Sequence, residues 1–437
     1  MIKKIIISSL LTIAATACFA QTFNQPRLDS LFNILAANDK FMGSIAVSQN
    51  GKLLYTKAIG FSDMETSKKA DTNTKYRIGS ISKMFTAVLV LKATEENKIS
   101  LSQTLDKYFP EIENSNKITV ENLLNHRSGI HNFTDDPAYM TYNTKAQSAK
   151  EMIAIIAKGK SDFAPNSKAA YSNSNYVILS YILEKIYSTP YAKILQTKII
   201  TPLGLKNTYF GGKTNLQNNE CYSYRQEGKW VKEAETDLSI PMGAGAILST
   251  PTDLTIFIQQ LFAGKLISDK SLSLMKTINE KYGMGMFEFP YFEKKSYGHT
   301  GGIDEFQSVL TYFPEEKLSV ALTSNGLVYA NNNILLCALS CYFNRPFEIP
   351  AFKSLTAAEL ELFSGNYAST EIPIKIAITK KENTLFAQAT GQAAFPLEAT
   401  SANSFQFEQA GVVLEFNTDK KQMTLKQGGK VFLFTKE

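Results

Sequence analysis

Apolar residues recur at helical spacing over RLDSLFNILAA, from Arg27 to Ala37, and then alternate with polar ones through GSIAVSQNGKLLYTKAIG, Gly43 to Gly60. Alternation on both sides of Asn50-Gly51 predicts a β-hairpin, because that dipeptide suits the tight primed turn that joins two twisted strands. ISKMFTAVLVLKATEEN, entered from YRIGS, is apolar all round except at its ends, which predicts a helix buried on most sides. Thr119 ahead of VENLLNHRSGI predicts a capped short helix ending near Gly129. SNYVILSYILEKIY, from Ser174, predicts a second strong helix, and Pro190 opens a third. FQSVLTYF and LSVALTSN read as strands joined through Pro314-Glu315-Glu316, followed by a late helix from Asn332 to Phe343.

Helix and hairpin near the start, hairpin and helix near the end, and a helical stretch between them predict an α+β fold. Its antiparallel sheet would be assembled from both chain ends, flanked by helices and joined to a helical subdomain. The pattern changes after Pro350. IPIKIAIT, TLFAQAT, SFQFEQA, VVLEFN, QMTLKQG and KVFLFTK alternate and are separated by turn residues, which predicts a small all-β barrel or sandwich. The division expected is a main domain over residues 21–350 and an accessory β domain over 355–437.

The first twenty residues, MIKKIIISSLLTIAATACFA, carry two lysines, an apolar run and small residues ending at Ala20. This predicts a signal peptide over residues 1–20 and an exported protein, periplasmic or secreted. Lipoprotein anchoring at Cys18 is the weaker alternative, since Ala15 stands where a bulky aliphatic residue is wanted. No later run is apolar for long enough to span a bilayer.

Composition narrows the function classes. With 44% hydrophobic and 20% charged residues the chain can bury a core, so disorder is excluded. The net charge of +6 is spread over single and paired lysines without interleaved aromatic residues, which argues against a nucleic-acid partner. Cys221, Cys337 and Cys341 are too few for a disulfide framework and, with no His nearby in sequence, read as small buried hydrophobes. His126 and His131, five apart, do not share a helical face; they predict no metal site, and His126 reads as a structural hydrogen-bonding residue. No phosphate-binding or dinucleotide fingerprint appears, and no cofactor is called for.

Candidate chemistry begins at RIGSISKMFTA. Ser80 follows Gly79 at a helix start, with Lys83 three residues on and on the same face. A serine hydroxyl needs a base, and a lysine serves as one only if its pKa falls. The pair alone is a weak signal: Ser273 and Lys276 repeat it, and an N-cap serine with a surface lysine would look the same. Tyr171-Ser172-Asn173 adds a phenol able to relay a proton, once cations depress its pKa, and an amide able to hold a carbonyl. His299-Thr300-Gly301-Gly302 offers backbone that a substrate can approach closely, or a simple glycine turn capped by His and Thr.

The order of these three patterns resembles that of the penicillin-recognising serine enzymes. With FMGSIAVSQNGKLLYTKAIGFSD, LLNHRSGI, TPLGLKNTYF and GAGAILSTPTDL, the chain is similar to the serine β-lactamase-like family over about residues 25 to 345. That family includes class C β-lactamases, D-alanyl-D-alanine carboxypeptidases, esterases and D-aminopeptidases. The resemblance implies Ser80 as acylated nucleophile, Lys83 as proton acceptor and Tyr171 as its partner in proton transfer. Asn173, His299, Thr300 and Gly301 would bind substrate, and the backbone N–H groups of Ser80 and Gly302 would form the oxyanion hole. It also implies a C-terminal barrel-like domain. The substrate would be a small peptide, lactam or ester, with peptidoglycan as a candidate partner, and a carboxypeptidase or β-lactamase activity is the first expectation. A broad esterase, a D-aminopeptidase or a non-catalytic peptidoglycan-binding protein on the same fold is the alternative. His299 departs from the lysine many members carry, so attraction for a carboxylate should be weaker, or should improve as pH falls.

Overall fold

The computed structural model describes residues 23–407 and 410–437; the leader expected over residues 1–20, with Cys18, lies outside the described residues. Its centre is a six-stranded antiparallel sheet whose strands run, from one edge to the other, Phe287–Tyr291, Lys294–Ile303, Phe306–Phe313, Leu318–Leu327, Phe41–Gln49 and Lys52–Ile59. Both chain ends build it, as the pattern predicts. The Asn50-Gly51 turn has positive φ at both residues (52° and 78°), the requirement that selects this dipeptide.

Successive side chains of a strand face opposite ways, so the central strands supply two cores. On one face Ile45, Val47, Val320 and Leu322 pack with Leu28, Leu31 and Phe32 of helix Gln25–Ala37 and Ile334 and Ala338 of helix Asn331–Phe343. On the other, Leu310, Tyr312 and Ala321 join Phe257, Ile258 and Leu261 of helix Pro251–Phe262. The same core continues around helix Ser82–Glu95, whose residues from Ser82 to Leu91 are all buried. Cys337 and Cys341 sit in the first core as free, buried thiols, and Cys221 is buried elsewhere.

The helical subdomain contains Asn173–Tyr187 and the short helix Val120–Leu124, where Thr119 accepts from the Asn122 N–H and the Asn122 side chain accepts from the Thr119 N–H. This helix is shorter than the predicted one. It stops at Asn125, and His126 turns the chain with φ of +60°.

Beyond Pro350 the chain forms a closed barrel of eight antiparallel strands, from Gly365–Ala368 round to Lys430–Lys436. Two strands escape the alternation pattern, Gly365–Ala368 and Phe395–Ala399, because each carries a glycine or proline that reads as a breaker. An ion pair of 2.7 Å between Lys40 and Glu398 joins barrel to main domain. Among the described residues no helix is long and apolar enough to cross a membrane.

Candidate active site

Strand Tyr76–Arg77 delivers the chain into a short 3-10 turn, Gly79–Ile81, from which helix Ser82–Glu95 continues. Gly79 has φ of +49°, and a β-carbon there would meet the backbone of Gly302 at 2.7 Å. Gly301 is equally constrained: its β-carbon would fall 2.0 Å from the Ile78 carbonyl oxygen. These two glycines let the nucleophile turn lie directly against the strand Lys294–Ile303. The His-Thr-Gly-Gly segment is therefore strand interior, not a turn; His299 pairs with Leu310 and Gly302 with Gln307.

Lys83 is fully buried and its Nζ lies 2.9 Å from Ser80 Oγ. Two further oxygens surround the same nitrogen, Asn173 Oδ1 at 2.7 Å and the Ala244 carbonyl at 2.9 Å. Burial holds its pKa well below that of an ordinary lysine. A neutral amine has two N–H bonds and one lone pair. In that form, which burial favours, the two N–H groups directed to Asn173 and Ala244 would leave the lone pair for the Ser80 hydroxyl. Ala244 comes from the Met242–Gly245 turn, and nothing in its small apolar side chain marks its carbonyl as a site group.

Asn173 opens helix Asn173–Tyr187, and its Nδ2 donates to Thr134 Oγ1 at 3.1 Å. Tyr171 is hydrogen-bonded to Ser80, and its ring lies 4.8 Å from Lys83 Nζ. The expectation that cations depress its pKa is corrected. Burial raises it, the hydrogen bond to Ser80 offsets only part of that, and the phenol stays protonated at neutral pH. His299 is also buried, packed on Phe287 at 4.3 Å between ring centroids and on Tyr171 at 6.3 Å. Burial first, then the nearby Lys83, pushes its pKa down to about 3. The imidazole is thus neutral throughout the physiological range, and the expected gain in carboxylate attraction as pH falls does not arise from it.

Ser80, Asn173, Thr300, Gly301 and Gly302 line one open cavity of about 1120 Å³. His299, Lys83 and Tyr171 stand behind its wall. Phe133, Tyr139, the largely exposed Met140 and Phe289 add apolar surface. The charged lining is Glu233, Asp304, Glu305 and Arg225, and Arg225 is already paired with Glu227 at 3.3 Å and Glu233 at 3.5 Å. Ser273 and Lys276, the second match to the nucleophile spacing, lie on helix Asp269–Lys276 outside this cavity. Among the described residues no group of three or more His, Cys, Asp or Glu could hold a metal ion.

Comparison with known proteins agrees with this geometry. The family model described as Beta-lactamase matches residues 35–334. The chain is 30% identical over 301 residues, 68% of its length and 73% of the relative's, to a teichoic acid D-alanine hydrolase of Staphylococcus aureus. A D-stereospecific amidohydrolase from a Streptomyces species is 25% identical, with a TM-score of 0.63 over 73% of this chain and 98% of that one. An octameric penicillin-binding protein homologue from Pyrococcus abyssi, 22% identical, has the same fold over 94% of this chain and 99% of its own, with a TM-score of 0.67. With its sheet and the extent of the match, the chain belongs to the β-lactamase family of serine hydrolases.

Proposed function

We propose that the protein hydrolyses D-aminoacyl esters or amides through an acyl-enzyme on Ser80. The observation that carries the reading is the buried Lys83, its pKa lowered and its Nζ held at Ser80 Oγ between the oxygens of Asn173 and Ala244. Ser80 passes its proton to Lys83 as its oxygen attacks the substrate carbonyl. The backbone N–H groups of Ser80 and Gly302 hold the resulting oxyanion. The C–O or C–N bond then breaks, and the protonated Tyr171 hands a proton to the departing group while Lys83 restores its own. Water enters by the reverse of these steps and releases the acid. The second Nδ2 hydrogen of Asn173, together with Thr300 and Gly301, orients the acyl group, and His299 acts on the site through Tyr171 and Lys83.

Charge at the cavity supports an amine-bearing substrate over one recognised by its carboxylate. Of the three carboxylates that line it, Glu233 is paired with Arg225 and Asp304 with Arg77, so Glu305 is the one that faces the cavity without a salt bridge among the described residues. The lining guanidinium of Arg225 is already paired. A carboxypeptidase needs a cation facing the terminal carboxylate, and the neutral His299 does not supply one. The D-alanine hydrolase and D-stereospecific amidohydrolase relatives point the same way. The leader-like first twenty residues support export, with action outside the cytoplasm.

The test is intact-mass analysis and turnover on a D-alanyl ester, its L-enantiomer, an N-acyl-D-alanyl-D-alanine peptide and a penicillin. Turnover of the D-ester with a transient acyl mass on Ser80 is the expected result. Stable penicillin labelling with peptide cleavage, and no D-ester turnover, would replace this reading with the carboxypeptidase one. Binding of wall fragments without any turnover would leave a non-catalytic protein.

A further inference from the structure

We propose that His126 is a positioning residue that holds Tyr171 against Ser80, an inference resting on the acyl-enzyme reading above. Backbone N–H groups on both sides of Tyr171 end on this one residue. The Ala170 N–H donates to the His126 carbonyl at 2.9 Å, and the Ser172 N–H donates to its Nδ1 at 3.2 Å. Between those two anchors the imidazole packs on the phenol, with ring centroids 4.6 Å apart. Tyr176 at 5.3 Å and Tyr282 at 5.2 Å fix the imidazole in turn.

The chemistry of the ring fits that task. An Nδ1 that accepts a hydrogen bond carries no proton, so the neutral ring has its hydrogen on Nε2. Full burial lowers its pKa well below the usual histidine value and favours the neutral ring. Its backbone is left-handed, with φ of +60°, a conformation that costs most residues with a β-carbon free energy and that asparagine adopts more readily. A residue needed only to turn the chain there would not have to be histidine. What histidine adds is an acceptor and a flat ring on the same segment as the phenol.

The experiment measures the rate at which a fluorophosphonate phosphonylates Ser80, the new P–O bond forming as fluoride leaves, with melting curves to establish folding. The variants are His126→Phe, which keeps a ring and removes the acceptor, and His126→Asn, which keeps an acceptor and removes the ring. Each is made alone and combined with Tyr171→Phe. The expected result is a slowing of roughly ten- to a hundredfold for Tyr171→Phe and for His126→Phe, the scale of a displaced catalytic group. His126→Asn is expected to slow the reaction less, and neither His126 change should slow it further once Tyr171 is phenylalanine. If His126→Phe does not fold, His126→Asn carries the same comparison. Equal slowing in both backgrounds, or no slowing from Tyr171→Phe, overturns the proposal. A wild-type protein that takes up no label removes the Ser80 reading first, and this one with it.

Discussion

Arg77, three residues ahead of Ser80, is ion-paired through Nη1 to Asp304, two residues past Gly302, at 3.2 Å. Its Nη2 reaches Glu235 at 2.6 Å, and its Nη1 also donates to the Thr236 carbonyl at 2.7 Å. One guanidinium therefore ties the strand that leads to Ser80 to the loop that follows the strand Lys294–Ile303. Arg77 and Asp304 side chains are 2% and 4% exposed, so neither charge can be left alone cheaply. Arg77→Met is expected to cost about 3 kcal/mol, the lower end for a broken buried pair because Glu235 keeps contact with water. Urea unfolding measures it, and a loss well below 1 kcal/mol would show that the carboxylates find other partners.

Lys83→Met should lower kcat on the order of 10³-fold with little change in KM, the scale of a lost general base. Lys83→Arg should do no better, since a guanidinium does not deprotonate. The pH dependence follows from direction alone. Lys83 has a lowered pKa and Tyr171 a raised one, so the active forms, neutral amine and protonated phenol, coexist over a pH range that opens below the ordinary lysine value. kcat/KM should be flat there and fall only on the acid side. A rate climbing about tenfold per pH unit between 7 and 10 would mean an ordinary lysine and sink the assignment.

His126 and His299 are both buried neutral, with pKa lowered below the usual histidine value. In the unfolded chain each takes up a proton as pH falls through about 6.5, whereas the folded chain does not. Their contribution to stability is complete above that pH and is lost below it, down to about 3 for His299. Below pH 6.5 the unfolding free energy should drop with a slope that approaches about 1.4 kcal/mol per pH unit for each histidine as its unfolded form becomes fully protonated. His299→Gln should remove one such share of the slope. An unchanged slope in that variant would place its charge uptake elsewhere.

Glu305 is half-buried at the cavity wall, and burial with the nearby Glu233 raises its pKa. If it receives the substrate ammonium, Glu305→Gln should raise KM for a D-alanyl ester about three- to tenfold and leave kcat unchanged, as expected for a partly solvated pair. The N-acetylated ester should not respond. An equal change for both esters would assign Glu305 to cavity shape.

Much of this architecture was legible in local pattern. The Asn50-Gly51 hairpin, the all-round apolar helix after Ser80 and the alternating strands of the barrel announce themselves by period and turn chemistry. The Ser80–Lys83 contact was legible because side chains three positions apart meet whether the turn between them is α-helical or, as here, 3-10. What pattern could not supply was contact between distant segments. The Ala244 carbonyl on Lys83 and the His126 ring on Tyr171 have no local signature. His299 misled the pH reading because its charge state depends on Phe287, Tyr171 and Lys83, which are far from it or unremarkable in sequence. Gly301 suggested a turn because the reason for it, the approach of the Ile78 carbonyl, comes from a distant segment of the chain.

The strand Phe41–Gln49 pairs with Leu318–Leu327, and the Ser319 hydroxyl reaches the Ser48 carbonyl across 271 positions of chain. A ribosome must therefore synthesise most of the polypeptide before this central pairing can form, and until then the early hairpin presents an open edge. Long-range pairing of this kind folds slowly. The pocket around Ser80 consequently assembles only after the strand Leu318–Leu327 has left the ribosome, while the barrel residues are still being added.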